Sequence, residues 1–265
     1  MKTVLVTGAY GGMGHAICRL LLQSGYEVWG LDRREADPLP GLHFVPCDVT
    51  NPESVSMAVD AVTQSVDHLD AIIHTAGIYD LDSLLEIDEA RFRRMFEVNL
   101  FGVYRVNKTF VPLLSSGGRI LIISSELAPL DPLPFTGLYA ISKAALEKYA
   151  YSLRMELNLL GISVSVIRPG AVQTGLLGDS TRALDKFCEH TRLYACKAQR
   201  FKRIVDSVEA RNVPPEKIAR IAWKALAAKH PKLLYKVNRN PLLLLLNLLP
   251  DRLQVFLIGL ILNPS

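Results

Sequence analysis

Six short apolar runs punctuate the first 170 residues of the chain, at 4–6, 28–31, 44–45, 71–73, 120–123 and 164–167. Several are rich in β-branched side chains, which suit strands. Between them, apolar positions recur with helical period over 13–24, 52–66, 89–114 and 139–160. Strands that alternate with helices predict a parallel sheet covered on both faces, a doubly wound α/β architecture. Beyond residue 170 the pattern changes. Residues 175–212 are charged and helical without a clear strand, a helix follows at 214–229, and a last strand is predicted at 233–237. An insertion after the sixth strand lies at the carboxyl end of the sheet, where open α/β folds bind ligands. It is a candidate substrate lid, and it carries Leu176, Leu177, Leu184 and Phe187.

The tail, 241–262, is nearly all Leu, Ile, Val and Phe. Its apolar residues favour membrane insertion by about 5–9 kcal/mol, and Asp251 and Arg252 near its centre cost about 5–7. The balance is close to zero, so a span is not compelled. Asn240-Pro241 and Pro250-Asp251 both look like helix starts. Two short apolar helices are expected, packed on the domain, lining a substrate pocket or touching a membrane surface. The expected organisation is one domain over 1–240, including the lid, with 241–265 as an apolar helical extension.

The 265 residues, 49% of them hydrophobic, suffice for one large buried core. A net charge of +4 without strong clustering argues against nucleic acid as a partner. The densest basic stretch, 197–203, reads as a solvated helix face. Cys18, Cys47, Cys188 and Cys196 form no Cys-x-x-Cys pair and have no histidine cluster beside them, so neither a metal site nor a disulfide framework is expected. The beginning of the chain turns polar too soon for a signal peptide. A cytoplasmic, reducing setting is expected, with peripheral membrane contact through 241–262 as its variant.

Thr7-Gly8-Ala9-Tyr10-Gly11-Gly12-Met13-Gly14 links the first strand to the first helix. Glycines let the backbone turn sharply and approach a pyrophosphate, and the helix N-terminus offers it free N–H groups. Asp32 closes the second strand, 20 residues after Gly12, where a carboxylate can accept hydrogen bonds from ribose hydroxyls and would repel a 2′-phosphate. NAD is therefore expected over NADP, although Arg33 and Arg34 argue partly the other way. Tyr139 and Lys143 lie four residues apart in a helical segment and so share one helix face. An ammonium beside a phenol favours its ionisation, which would give a proton donor and acceptor.

With these motifs the chain resembles the short-chain dehydrogenase/reductase family over residues 1–235, which implies a Rossmann fold. The family's glycine pattern is matched by Thr7, Gly8, Gly12 and Gly14, and its adenine-contacting acid by Asp48, followed by Val49. Its Asn-Asn-Ala-Gly appears here as His74-Thr75-Ala76-Gly77, a departure at the first two positions. His74 is read as a core packing residue. The resemblance implies a catalytic tetrad of Asn99, Ser125, Tyr139 and Lys143. In it Asn99 positions a relay water, and Ser125 is chosen over Ser124 by its spacing to Tyr139. Lys143 lowers the Tyr139 pKa and binds the nicotinamide ribose. Pro169, Gly170, Val172 and Thr174 match the segment that flanks the nicotinamide. The implied activity is hydride transfer between NAD(P) and an alcohol or ketone (EC 1.1.1.-). The lid and tail point to an apolar substrate of steroid, retinoid or fatty acyl type. The helices at 89–114 and 139–160 resemble those that pair in family homodimers and homotetramers. A non-catalytic dinucleotide-binding or scaffold protein on the same fold is the alternative.

Overall fold

A computed structural model of the protein describes residues 1–33, 36 and 38–263, and the side chains of all of these except 176, 177, 179, 180 and 209. Seven strands, β1 (Thr3–Thr7), β2 (Glu27–Asp32), β3 (Leu42–Pro46), β4 (Leu69–His74), β5 (Leu114–Ile123), β6 (Ser163–Pro169) and β7 (Leu234–Val237), form one sheet in the order β3-β2-β1-β4-β5-β6-β7. Every pairing is parallel. Parallel strands need crossovers, and helices supply most of them, on both faces: α1 (Gly12–Gln23), α2 (Pro52–Thr63), α3 (Glu89–Phe96), α4 (Gly102–Phe110) and α5 (Gly137–Asn158). The pleat sorts the apolar runs to both sides. Leu5, Trp29, Leu31, Ile72, Ile120 and Ile122 pack in one core, and Val4, Val6, Val28, Ala71, Ile73 and Leu121 in the other. That two-sided burial is why the strands read as continuous apolar runs rather than as alternations.

Strand order reverses between β1 and β4, so the loops after these two strands part and leave a crevice at their carboxyl ends. The single helix expected over 89–114 is broken. One turn of π-helix, Glu97–Phe101, separates α3 from α4, and a 3₁₀ turn, Val111–Leu113, ends it. A π turn accommodates an extra residue and is frequent at functional sites; Asn99 sits at its middle.

After β6 the chain forms α6 (Gly175–His190), α7 (Ala195–Glu209) and α8 (Pro215–Ala227) before β7. The tail folds as α9 (Pro241–Leu246) and α10 (Asp251–Leu262). At 1.5 Å per residue the longer is about 18 Å, against a hydrocarbon layer of about 30 Å. Among the described residues no helix is long and apolar enough to cross a membrane. Leu262 is buried with Leu81, Leu184, Phe187, Ala198 and Phe201 in a satellite core under the lid. Leu184 and Phe187, two of the apolar residues the lid carries, thus hold α6, α7 and α10 together. The side chains of Leu176 and Leu177 lie outside the described residues.

Candidate active site

A cleft of about 1060 Å³ opens at the β1/β4 crevice. Gly8, Tyr10, Gly11, Gly12, Met13, Gly14, Asp32, Arg33, Asp48, Val49, Ala76, Gly77 and Thr174 line it. Thr7 does not: it is buried beneath the turn, its carbonyl accepting from Thr75 Oγ1 at 2.7 Å. Arg34 lies outside the described residues. Two glycines of the turn are sterically required. Gly8 has φ +67°, and a Cβ on it would lie 2.7 Å from the Ala76 nitrogen. A Cβ on Gly14 would lie 2.0 Å from the Gly8 carbonyl oxygen. The first turn of α1 has no side-chain cap and no acidic residue, whereas Asn51 and Asp88 cap α2 and α3. Its free N–H groups and dipole thus face a glycine-floored cleft, which fits a pyrophosphate.

At the cleft's far end Asp32 accepts from Tyr10 N at 2.9 Å and from Arg33 N at 2.7 Å. Asp48 accepts from Thr50 N at 2.9 Å and from its hydroxyl at 2.7 Å. Desolvation pushes the Asp48 carboxyl up, but these bonds and the charges of Arg33 and Arg94 leave it below the usual range. Arg93 and Arg94 also line the cleft, a contribution the sequence did not single out.

Pro169, Gly170 and Val172 line a second, smaller pocket of about 150 Å³, together with Ser125, Tyr139 and Lys143. The two cavities share Met13, Thr75, Gly77, Ile78 and Thr174, so they meet. Tyr139 and Lys143 project from α5, which is fixed to β6 by an Arg168–Glu147 ion pair and by Arg154 Nε donating to the Val164 carbonyl at 2.8 Å. Lys143 Nζ stands 5.8 Å from the Tyr139 ring centre and donates to the Ile123 carbonyl at 3.2 Å. Burial pushes the Lys143 ammonium down to about 8, opposed by the Glu147 charge.

The expected direction for Tyr139 is corrected. Burial pushes its phenol up to about 12, and only a hydrogen bond with the Ser125 hydroxyl pulls the other way. Desolvation of the phenolate by burial outweighs that hydrogen bond, and Lys143, 5.8 Å from the ring centre, does not reverse the direction. The protein frame thus holds Tyr139 as a proton donor. The Ser124 hydroxyl is enclosed without a partner, while Ser125 reaches Tyr139 and accepts from Leu127 N at 3.2 Å.

Asn99 is fully buried. Its Oδ1 accepts from Ile78 N at 2.9 Å, and its Nδ2 donates to the Ile78 carbonyl at 3.0 Å and to Ser142 Oγ at 3.1 Å. It therefore clamps the passage after β4 to α5. The departures at residues 74 and 75 carry their own bonds. Thr75 locks the glycine turn, and His74 Nε2 pairs with Asn107 Oδ1 at 2.8 Å, whose Nδ2 donates to the Tyr149 hydroxyl at 3.1 Å. Burial depresses the His74 pKa to about 4, so the imidazole is a neutral core group.

The remaining pocket wall was not foreseen. Tyr79 stacks edge-on to Tyr139 at 4.4 Å, Glu126 lies on the floor, and Phe201, Ile204, Val205 and Val208 of α7 with Leu243 of α9 close the side. The spacing 201, 204, 205, 208 is a helical apolar stripe and was readable as such.

A family model described as short chain dehydrogenase matches residues 2–185. The chain belongs to the short-chain dehydrogenase family. It is an oxidoreductase of the alcohol/ketone class, and the family works with NAD(P)H. A 3-ketodihydrosphingosine reductase from Bacteroides thetaiotaomicron is 28% identical over 238 residues, covering 89% of this chain and 88% of the relative. An NADPH-dependent 3-dehydrocapnine reductase from Ornithobacterium rhinotracheale is 28% identical over 272 residues, covering 96% and 94%. Among solved structures, a short-chain dehydrogenase from Streptomyces avermitilis superposes with a TM-score of 0.77 at 24% identity, covering 97% of this chain and 94% of that one. It shares the fold of this dehydrogenase.

Proposed function

We propose that the protein reduces a long-chain apolar ketone to the alcohol with NADH. The observation that carries this reading is the junction of the two cavities: a glycine-floored cleft opens directly onto an apolar pocket holding Ser125 and a protonated Tyr139. The relatives named for 3-ketodihydrosphingosine and 3-dehydrocapnine support a keto substrate. When bound, the nicotinamide supplies the hydride. The chain does the rest. Ser125 orients the carbonyl oxygen beside the phenol. Tyr139 gives that oxygen its proton, a favourable transfer because an alkoxide is far more basic than a phenolate. Lys143 offsets the negative charge left on the phenol. Apolar side chains from α7 and Leu243 exclude water from this exchange.

The cleft residues would hold the cofactor: the α1 N-terminus its pyrophosphate, Asp32 the adenosine ribose, and the 169–174 segment the nicotinamide. Asp32 supports NADH, since its charge disfavours a 2′-phosphate. Initial rates on a series of long-chain ketones should be at least about tenfold higher with NADH than with NADPH, one pocket contact's worth of discrimination. A preference for NADPH would remove the cofactor half of the reading; no ketone turnover with either would remove all of it.

The outer face of the tail exposes Leu245, Leu248, Val255, Phe256 and Leu260, next to the pocket wall formed by Leu243. Exposed apolar side chains of this kind support peripheral contact with a lipid surface, from which an apolar substrate could enter. Exposed Phe101, Tyr104, Tyr151 and Met155 on the α4 and α5 segments support a homodimer or homotetramer. Flotation with phosphatidylcholine vesicles, combined with light scattering of the unbound fraction, should find bound protein and a multimeric mass. A monomer that stays at the bottom of the gradient would remove both.

A further inference from the structure

Among the described residues, Glu126 is the one acidic side chain lining the substrate pocket, and the reduction itself does not use it. It follows Ser125 directly, with Cα atoms about 3.8 Å apart, and is only 8% exposed. Its Oε2 accepts from Asn240 N at 2.7 Å, at the start of α9. Its Oε1 lies against Gly170, where a Cβ would come within 2.7 Å of it, and accepts no hydrogen bond from any described residue. Burial pushes the carboxyl pKa up, opposed by the Asn240 N–H and by the charge of exposed Arg239. No described cation forms an ion pair with it. Leu127, Leu133, Phe201, Val205 and Leu243 make the surroundings apolar.

A buried carboxylate with one open oxygen is costly until a strong donor or a cation meets it. A hydroxyl offsets less of that cost than a charge does. A guanidinium would need both oxygens for its fork, and Oε2 is taken. An ammonium is compact and bonds well to a single oxygen.

We propose that Glu126 determines specificity: its open Oε1 pairs with an ammonium group carried one or two carbons from the reacting carbonyl, so the substrate is a long-chain amino ketone. This rests on the ketone-reductase reading. The alkyl chain lies against the α7 and α9 wall, while Ser125 and Glu126, consecutive in the chain, engage the carbonyl oxygen and the neighbouring nitrogen.

The test compares three ketones of one chain length: the 2-amino-3-ketone, its N-acetyl derivative and the 3-ketone without the amine. Wild-type kcat/KM should be at least about 30-fold higher for the ammonium ketone than for either neutral one, as expected for a desolvated charge pair. In Glu126→Gln that ratio should fall towards one, because the amide keeps an oxygen for Asn240 N–H but loses the charge. If the variant loses the same factor on all three ketones, Glu126 is only a strap for the tail and the assignment is overturned. Equal wild-type rates on the three ketones overturn it as well, whether or not the variant folds. Turnover of none of them, in a protein whose Tm is raised by NADH or NADPH, removes the reductase reading and the amine assignment with it.

Discussion

Tyr139→Phe should lower kcat by about 10³-fold and leave the Kd for the dinucleotide within about twofold of wild type. General acid–base groups contribute on the order of 10²–10⁴ in rate. The phenol is the group the frame keeps protonated, at about 12, beside the Ser125 hydroxyl. Phe keeps the ring that packs edge-on against Tyr79 at 4.4 Å and removes the hydroxyl, with its proton and its bond with Ser125. The residue is buried within the Met95 and Leu138 cluster, so the aromatic volume is retained and the fold should survive. Single-turnover absorbance of the reduced nicotinamide with the preferred ketone, alongside fluorescence titration of the cofactor, separates chemistry from binding. Near-normal single-turnover rates in the variant would exclude Tyr139 as the proton donor.

Acidification should destabilise the protein by about 3 kcal/mol through His74 alone between pH 6.5 and pH 4. The folded imidazole is held neutral, with its pKa pushed down from 6.5 to about 4 by burial. In the unfolded chain the same group binds a proton below about 6.5. The unfolded state therefore holds more protons in this window, and stability rises with pH across it. The contribution is fully present above the unfolded value and is lost as pH falls through the folded one; a depression of this size is worth about 3 kcal/mol. Urea denaturation at pH 7 and pH 4.5 measures it. His74→Asn, the residue the family carries here, should flatten the pH dependence by about that amount. Equal slopes in the two proteins would mean that His74 is solvated or already charged in the native state.

Much of the architecture was legible because parallel strands buried on two faces demand apolar runs, and amphipathic helices demand a 3.6-residue period. The glycine turn was legible for a similar reason: close backbone approaches at Gly8 and Gly14 leave no room for a Cβ. The break at Glu97–Phe101 was not, since one extra residue in a helical turn leaves the apolar period nearly intact. Leu184 and Phe187 were visible as apolar lid residues, but their neighbours were not, and they face Leu262 rather than the pocket. Glu126 stands beside Ser125 in plain view; its significance comes from burial, which no adjacent residue announces.

The sequence by itself determined the order of strands and helices, the phosphate-binding turn and the shared face of Tyr139 and Lys143. These depend on spacings within a few residues, and local geometry converts spacing into position. The tertiary structure alone decided how dry that face is. The pocket is closed by α7 and the tail, and Asn240 meets Glu126 across 114 residues of chain. Desolvation is a property of everything that surrounds a group, so it reversed the direction expected for the Tyr139 pKa and left Glu126 with an open oxygen in an apolar pocket.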